Sequence, residues 1–345
     1  MKQFFLKITI GILIAVIFIL LISAIDIGSI KIPIAVKDWE DKLSNFVVEK
    51  TEGLIEAIKE GNSEENNAEE NEPAEVIIGT EGDLEIHFID VGQGDATLIM
   101  CGDDAMLIDA GYWDYGEGVE AYVDYQLEDN HLDYVIATHP DADHIGGLSE
   151  IFGSEILTCD KIFFSGYDRD TGTMYYVEEA MKEKGYVSEV PSVGDTYNLG
   201  DATFTIIGPV QMYEECNDNS ICILLEYGST KYLFCGDAEE LAEADMVEGI
   251  YNIDCDVLKI SHHGSKTSTT PTFLAEVSPE YAVISVGENN EYFQPHATVL
   301  NLLRNYGINV FRTDEQGSVV CTSNGEEIKW NCMPSTSWQA GEGAN

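Results

Sequence analysis

The feature that most constrains this chain is a run of four side chains able to bind a metal within six residues. Residues 138–147 read THPDADHIGG and follow the largely apolar run DYVIA, which predicts a strand that ends in a loop. Imidazoles and carboxylates together favour a transition metal over calcium, which prefers oxygen ligands alone. We therefore predict a metal site whose local ligands are His139, Asp141, Asp143 and His144.

Further ligands are expected from distant segments that end in the same way. Asp237 follows the apolar run KYLFCG, and the pair His262 and His263 follows DVLKIS. A carboxylate can bridge two cations while imidazoles complete each coordination sphere, and six ligands are too many for one tetrahedral zinc. The local ligands, Asp237 and one of the two histidines therefore predict a dinuclear centre. Taken singly, Asp237 also fits a helix N-cap, and either histidine fits an ordinary strand-end residue.

Short apolar runs alternate with helical stretches from about residue 84 to residue 334. Runs such as LEIHFIDV, ATLIMCG and DYVIATH have the length and composition of strands, whereas TMYYVEEAMKEKG and TVLNLLRNYG have the pattern of helices. This interleaving predicts a layered α/β domain in which helices cover the sheets. The polar residues with metal-binding side chains come just after the strands, where active sites commonly lie.

Six segments, in the order of the chain, resemble the metallo-β-lactamase-fold hydrolases and specifically their ComEC-type competence-protein branch. They are FIDVGQGDATLI, LIDAG, ATHPDADHIGGL, NDNSICILLEYG, FCGDAE and LKISHHGSKTST, and the similarity extends over about residues 86–330. The resemblance implies a four-layer αββα sandwich with two metal ions at one edge of its paired sheets. The wider family reads H-x-H-x-D-H in its first motif, and the H-x-D-x-D-H form of this chain is similar to the ComEC branch.

The resemblance also implies a ligand set: His139 and Asp141 on a first metal, Asp143, His144 and His263 on a second, and Asp237 bridging both as a catalytic residue. Asp109 of LIDAG would orient a ligand histidine. A family histidine expected just before ICILLEYG is missing, and Asn219 and Ser220 stand there instead. The first metal is therefore poorer in imidazole. Zinc is the expected metal, and the additional carboxylate makes manganese the alternative.

Two such metals predict hydrolysis, because they activate a water and polarise the bond to be cleaved. For a phosphodiester, a protein acid must protonate the leaving oxygen, and His262 and His296 are the candidates. Lys266 is a candidate phosphate contact, although an ordinary loop lysine fits the sequence equally well. In the segment GQGD, Gln93 and Asp95 are expected to line the mouth of the cleft, with a simple turn between strands as the alternative.

The chain begins with an uncharged apolar run of 18 residues, 8–25. A helix of this length rises about 27 Å, close to the roughly 30 Å thickness of a bilayer's hydrocarbon core. Lys2 and Lys7 lie on its short side, so the positive-inside rule places the remainder outside the cytoplasm. We predict a single-pass anchor that contacts the lipid bilayer through residues 8–25, with secretion after signal cleavage as the alternative.

The remaining chain divides by composition into four further parts. We predict an anchor at 1–25, an amphipathic stalk at 26–60, an acidic linker at 61–83, the hydrolase domain at 84–334 and a polar tail at 335–345. Eight cysteines in an exported domain allow disulfides, whose connectivity the sequence does not determine, and Cys321 and Cys332 are a plausible pair.

The charge of the chain limits its substrates. It has 17 Lys+Arg against 63 Asp+Glu, and about −36 of the net charge of −46 belongs to residues 86–345. This argues against a basic groove that grips nucleic acid by its phosphates. The predicted function is an extracytoplasmic hydrolase of phosphodiesters, and the ComEC resemblance implies DNA as the leading substrate. The alternatives are hydrolysis of a small anionic ester, a phosphorylated surface polymer or a β-lactam, and a non-catalytic, tethered metal-binding scaffold.

Overall fold

The computed structural model describes residues 77–78, for their backbone, and residues 83–341. The predicted anchor and stalk and most of the predicted linker lie outside the described residues. Within the described residues, none of the helices combines the length and the apolar composition needed to cross a membrane. The first seven residues of the predicted tail, 335–341, contact the domain, because Ser335 N donates to Val310 O and Gly341 N to Pro295 O.

The described part of the chain forms sixteen strands. In chain order they are β1 (Ile77–Ile78), β2 (Leu84–Phe88), β3 (Thr97–Cys101), β4 (Asp104–Ile108), β5 (His131–Ala137), β6 (Thr158–Phe164), β7 (Ser188–Glu189), β8 (Thr196–Leu199), β9 (Ala202–Gly208), β10 (Cys222–Tyr227), β11 (Thr230–Phe234), β12 (Val257–Lys259), β13 (Tyr281–Ile284), β14 (Asn309–Arg312), β15 (Val319–Ser323) and β16 (Ile328–Trp330).

Eight α-helices lie between these strands. They are α1 (Gly116–Gln126), α2 (Ala142–Ile145), α3 (Leu148–Gly153), α4 (Gly172–Lys184), α5 (Glu240–Glu248), α6 (Pro271–Val277), α7 (Ala297–Asn305) and α8 (Thr313–Gln316). Short 3-10 turns occupy Trp113–Tyr115, Asn217–Asn219 and Ser261–Gly264.

The strands form two sheets. The first has the order β1-β16-β15-β2-β3-β4-β5-β6-β7, and the second has the order β14-β13-β12-β11-β10-β9-β8. Hairpins make β2, β3 and β4 antiparallel, and helical crossovers make β4, β5 and β6 parallel. In the second sheet β11 to β14 are likewise parallel. Parallel strands joined through helices are buried on both faces, which explains why the corresponding runs are almost continuously apolar.

A continuous apolar core fills the space between the two sheets. Side chains of β2, β3 and β4 meet those of β9, β10 and β11 there. Phe311 and Trp330 stack with ring centres 3.9 Å apart where β14 faces β16. Each fully buried side chain of this size stabilises the fold by about 1.5–3 kcal/mol.

Helices cover the outer face of each sheet. Val123 of α1, Phe152 of α3 and Val177 of α4 pack on the first sheet, and the apolar faces of α5, α6 and α7 pack on the second. The prediction of an α/β fold with two sheets covered by helices is therefore confirmed. All eight cysteines lie in the described part of the chain and are free thiols. The expected Cys321–Cys332 disulfide is wrong: Cys321 is buried in the core between the sheets, and Cys332 Sγ accepts a hydrogen bond from Gln316 Nε2.

The topology brings four polar strand ends to one edge of the sandwich. Asp109 follows β4 and the THPDADH segment follows its parallel neighbour β5. Asp237 and the His262–His263 pair follow β11 and β12, which are parallel neighbours in the other sheet. Adjacent parallel strands end at the same edge, so residues far apart in the sequence meet there.

Candidate metal centre

A cluster of histidine and aspartate side chains lies at this edge. His139, His144 and Asp237 offer ligand atoms that lie within 4.8 Å of one another, and Asp143, His144 and His263 do the same. Asp143 and His144 come from α2, a single helical turn that starts after the N-cap Asp141. Successive side chains on a helix project about 100° apart, and here both Asp143 and His144 reach the cluster.

Asp237 occupies the centre of this cluster. Its Oδ1 lies 3.2 Å from His144 Nε2, and its Oδ2 lies 3.9 Å from His139 Nε2 and 3.7 Å from His263 Nε2. We call Asp143, His144 and His263, whose ligand atoms lie within 4.8 Å of one another, the inner half of the cluster. We call His139 and Asp141, whose nearest nitrogen and oxygen are 3.9 Å apart, the outer half.

Asp109 fixes the orientation of His144. One carboxylate oxygen accepts hydrogen bonds from Thr138 Oγ1 at 2.7 Å and pairs with His144 Nδ1 at 2.8 Å, and the other accepts from Thr138 N at 2.9 Å. With Nδ1 held from behind, Nε2 points at Asp237. This is the arrangement in which carboxylates typically orient a metal-binding imidazole.

A buried ion pair supports His263 from behind. Lys259 Nζ donates to Asp95 Oδ2 at 2.7 Å, and Asp95 Oδ1 lies 3.3 Å from His263 Nδ1, which also lies 3.0 Å from Ser285 O. Asp95 therefore lies beneath the inner half, and not at the mouth of the cleft as expected from the sequence. Gly94 allows this approach, because a Cβ there would come within 2.4 Å of Asp143 O.

The carboxylates of the cluster determine the protonation of its imidazoles. Burial opposes a charge on His144, but Asp237 and Asp109 outweigh it and raise the pKa of His144 well above its usual range. In the same way Asp237 and Asp95 overcome burial and raise the pKa of His263 to about 10. Burial and the neighbouring His144 instead lower the pKa of His139 to about 3.

The donor set fits a metal ion. The Nε2 atoms of His139, His144 and His263 and Asp237 Oδ1 are buried and have no hydrogen-bond partner among the described residues. Buried polar atoms are normally paired, so four unpaired atoms within one cluster need an explanation. Nitrogen and carboxylate donors of this kind suit zinc and manganese. The cluster can therefore hold a divalent cation.

Comparison with known proteins agrees with this geometry. Residues 89–288 match the family described as the metallo-beta-lactamase superfamily. The chain belongs to the metallo-β-lactamase superfamily. ComE operon protein 3 of Bacillus subtilis is 31% identical over 263 residues, which cover 70% of this chain and 33% of that protein. Recombination protein 2 of Haemophilus influenzae is 30% identical over 243 residues, which cover 68% of this chain and 28% of that protein.

These relatives are ComEC-type competence proteins, as the resemblance predicted. This chain spans about a third of the length of the curated relatives that it matches. A solved structure, the metallo-beta-lactamase fold protein YhfI from Bacillus subtilis, is 14% identical, covers 66% of this chain and 95% of that chain, and gives a TM-score of 0.44. Members of the superfamily are mostly metal-dependent hydrolases.

In this superfamily member the candidate acids lie beside the cluster. His262 is half-buried, with Nε2 3.8 Å from Asp237 Oδ2 and Nδ1 3.0 Å from Glu239 Oε1. His296 is the N-cap of α7, and its Nδ1 accepts a hydrogen bond from Lys266 N at 3.1 Å. Burial, followed by the neighbouring Lys266, lowers the pKa of His296. The Lys266 side chain is exposed.

The remaining predicted residues support the loops of the metallo-β-lactamase site. Gln93 Nε2 donates to Gln294 Oε1 at 2.8 Å, and Gln294 Nε2 donates to His262 O at 3.1 Å. Asn219 Nδ2 donates to the backbone of its own loop, at Glu215 O and at Tyr213 O. Ser220 is closer to the site.

Ser220 connects the two sheets at the cluster. Its Oγ lies 3.3 Å from His139 Nδ1 and accepts a hydrogen bond from Asp237 N at 3.0 Å. Ser220 thus holds His139 and the Asp237 backbone together from behind the outer half.

The sequence analysis missed three residues around the cluster. The sequence does point to Lys259, because a lysine inside the apolar run DVLKIS requires a buried counter-ion. Glu239 follows Asp237 by two residues, but nothing in the sequence distinguishes it from the other acidic residues of AEELAEADM. Arg169 forms an ion pair with Asp141 Oδ1 from the loop before α4, a contact that only the fold creates.

Proposed function

We propose that this chain is an extracytoplasmic hydrolase with two divalent cations that cleaves phosphodiester bonds in nucleic acid. The observation that carries the proposal is the central place of Asp237, which reaches both halves of the cluster: Oδ1 lies 3.2 Å from His144 Nε2, and Oδ2 lies 3.9 Å from His139 Nε2 and 3.7 Å from His263 Nε2. Two divalent cations, zinc or manganese, would supply Lewis acidity and an activated water when bound. His139 and Asp141 would hold one, and Asp143, His144 and His263 the other, with Asp237 between them.

The chain's own residues can orient a phosphodiester and hold a proton for its leaving oxygen. His296 Nδ1 is occupied by the Lys266 backbone N–H, so in the neutral imidazole the proton sits on Nε2. The exposed Lys266 side chain, on the loop whose backbone contacts His296, offers a positive charge to a phosphate oxygen. The burial of His144 and His263 excludes water from the inner side of the site.

Aromatic side chains beside the cluster support nucleic acid as the substrate. We call Tyr112, Trp113, Tyr115, Tyr292 and Phe293 the aromatic rim. Tyr112 lies near the Asp143 carboxylate and near the side chain of Tyr292. Trp113 is 71% exposed and Phe293 57% exposed. Bases of a single strand stack on such rings at about 1–3 kcal/mol each, which requires no lysine or arginine and therefore suits a strongly acidic domain.

The proposed location rests on the amino-terminal sequence and on the relatives. An uncharged run at residues 8–25 with Lys2 and Lys7 before it supports a single-pass anchor with the hydrolase domain outside the cytoplasm. The names of ComE operon protein 3 and of competence protein ComA of Neisseria gonorrhoeae associate the relatives with competence. We propose that this chain acts on DNA in the same setting.

The proposal is tested with the full chain, loaded with zinc or manganese, on three substrates. We expect it to hydrolyse bis-p-nitrophenyl phosphate and single-stranded DNA, to prefer the single strand to the duplex, and to leave the β-lactam nitrocefin intact. Asp143→Ala should lower turnover at least about 100-fold, beyond the 10–100-fold typical of residues that only orient a ligand. Asp160→Ala, at an exposed aspartate beside His131, is the matched control.

Each other outcome removes a definite part of the proposal. Full activity in Asp143→Ala would refute the assignment of this ligand. A fully loaded chain that turns over none of the substrates would favour the non-catalytic scaffold. Cleavage of the small diester without cleavage of DNA would remove nucleic acid and leave a small ester or a phosphorylated polymer.

A further inference from the structure

The outer half of the cluster lacks an imidazole that the inner half has. The inner half contains His144 and His263, whereas the outer half contains only His139 beside Asp141. Asn219 and Ser220, which stand where a further histidine was expected, bring no imidazole. The Asn219 side chain is engaged with the backbone of its own loop, and Ser220 lies behind His139.

We propose that His262 supplies the missing nitrogen ligand of the outer half, a role that rests on the proposed two-cation function. Its Nε2 lies 3.8 Å from Asp237 Oδ2, and the corresponding distances are 3.9 Å for His139 and 3.7 Å for His263. Two donors about 2.1 Å from one tetrahedral metal are about 3.4 Å apart, so all three imidazoles are nearly at ligand spacing. His263 already belongs with Asp143, at 3.2 Å, so His262 is the imidazole at Asp237 Oδ2 that is available to the outer half.

A carboxylate holds the nitrogen of His262 that faces away from Asp237, as is usual for a metal-binding imidazole. Nδ1 lies 3.0 Å from Glu239 Oε1, and the same oxygen accepts hydrogen bonds from Thr267 Oγ1 at 2.7 Å and Asn217 Nδ2 at 3.3 Å. Glu239 therefore orients His262 as Asp109 orients His144. Each carboxylate is fixed by other residues and directs Nε2 of its histidine toward Asp237.

The backbone also turns both adjacent histidines toward the cluster. Neighbouring side chains on a strand point to opposite faces, so a simple continuation of β12 would bring only one of the two imidazoles to Asp237. His262 and His263 instead have positive φ values of 51° and 54°. Two successive non-glycine residues in the left-handed region are strained, and such strain persists only where the surroundings enforce it. As a result of this backbone conformation, the Nε2 atoms of His262 and His263 both face Asp237 Oδ2.

This role excludes the one that the sequence favoured for His262. A general acid must carry a proton on the nitrogen that faces the substrate, whereas a nitrogen that binds a cation carries none. The two roles therefore differ in cation content and not only in activity.

The test measures cation content in the full chain, after loading with cobalt(II) or manganese and dialysis. We expect two cations in the wild type, one in His262→Ala and two in His131→Ala, the matched control at a histidine that contacts Thr158 and Asp160. Glu239→Gln should retain both sites but bind one cation about 10–100-fold more weakly. His262→Cys should give cobalt a thiolate charge-transfer absorption that the wild type lacks. Circular dichroism of the cation-free variants checks that each is folded.

The outcomes separate the inference from the function on which it rests. Two cations with unchanged affinity in a folded but inactive His262→Ala would overturn the ligand role and restore the acid. If the wild type binds a single cation at saturation, the dinuclear function itself fails, and the ligand role fails with it.

Discussion

The two halves of the cluster are built from the same residue types but are supported very differently. In the inner half each imidazole has its second nitrogen against buried groups: Asp109 behind His144, and Ser285 O with Asp95 behind His263. In the outer half Asp141 is 28% exposed and pairs with Arg169.

The histidines of the outer half are supported more loosely. Among the described residues, the hydrogen-bond partners of His139 Nδ1 are the hydroxyls of Thr138 and Ser220, at 3.1 Å and 3.3 Å. Glu239, behind His262, is partly exposed. A preorganised and buried donor set binds more tightly, because fewer side chains have to be ordered on binding. We therefore expect the inner half to fill first and to hold its cation more strongly.

The largest expected effect is on the pH dependence of stability in the cation-free protein, because the histidines of the two halves differ in protonation. His263, with its pKa raised to about 10, keeps a proton when folded that it releases near 6.5 when unfolded. Its stabilisation is therefore complete below about pH 6.5 and is lost as the pH rises toward about 10. The proton on His263 contributes at most about 5 kcal/mol to the free energy of unfolding. His139, with a lowered pKa, contributes nothing in this range.

Urea unfolding at pH 6.5, 8 and 9.5 measures this loss. With a chelator present, the midpoint should fall across the interval. In His263→Gln the fall should become smaller, and the part that remains comes from His144, whose pKa is also raised. With saturating cation the fall should also disappear, because the cation replaces the proton. A chelated wild type whose midpoint is flat over this interval would show that the inner half does not hold the proton.

The next effect concerns the carboxylate behind His144. Asp109→Asn keeps the size of the side chain, and asparagine tolerates the positive φ of 56° at this position. We expect the inner cation to bind about 10–100-fold more weakly, while the outer cation is unaffected. Titration against a chelating dye measures both affinities, with the exposed Asp114→Asn as the control. An equal loss in both halves would mean that the cluster is one cooperative unit.

The smallest effect is expected from Arg169, which competes with a cation for Asp141. The ion pair is partly exposed, and such pairs are worth about 0.2–1 kcal/mol. Arg169→Gln should thus strengthen cation binding in the outer half by less than about fivefold and leave the inner half unchanged. The same titration applies, with Arg304→Gln as the control for charge. Weaker binding in Arg169→Gln would instead make the arginine a support for Asp141.

Sequence patterns predicted the residues that meet at the cluster better than they predicted what supports them. The THPDADH run, Asp237 and the paired histidines were recognisable, because ligand-type residues follow apolar strands at each of these points. The partners of Lys259 and Arg169 were not, since they depend on which strands become neighbours. Asp95 was expected at the cleft mouth because Gly92 and Gly94 permit backbone conformations that other residues avoid. Here the turn passes beneath the inner half, and Gly94 makes the close approach possible.

The Lys259–Asp95 pair affects the order in which the chain folds and binds metal. The Lys259 ammonium is part of the chain itself, so it neutralises the negative charge of Asp95 beneath the inner half before any metal binds. Acquiring the fold and acquiring the metal are therefore separable steps. A chain that folds without metal then loads from its surroundings, so the cations available there determine which metal it carries.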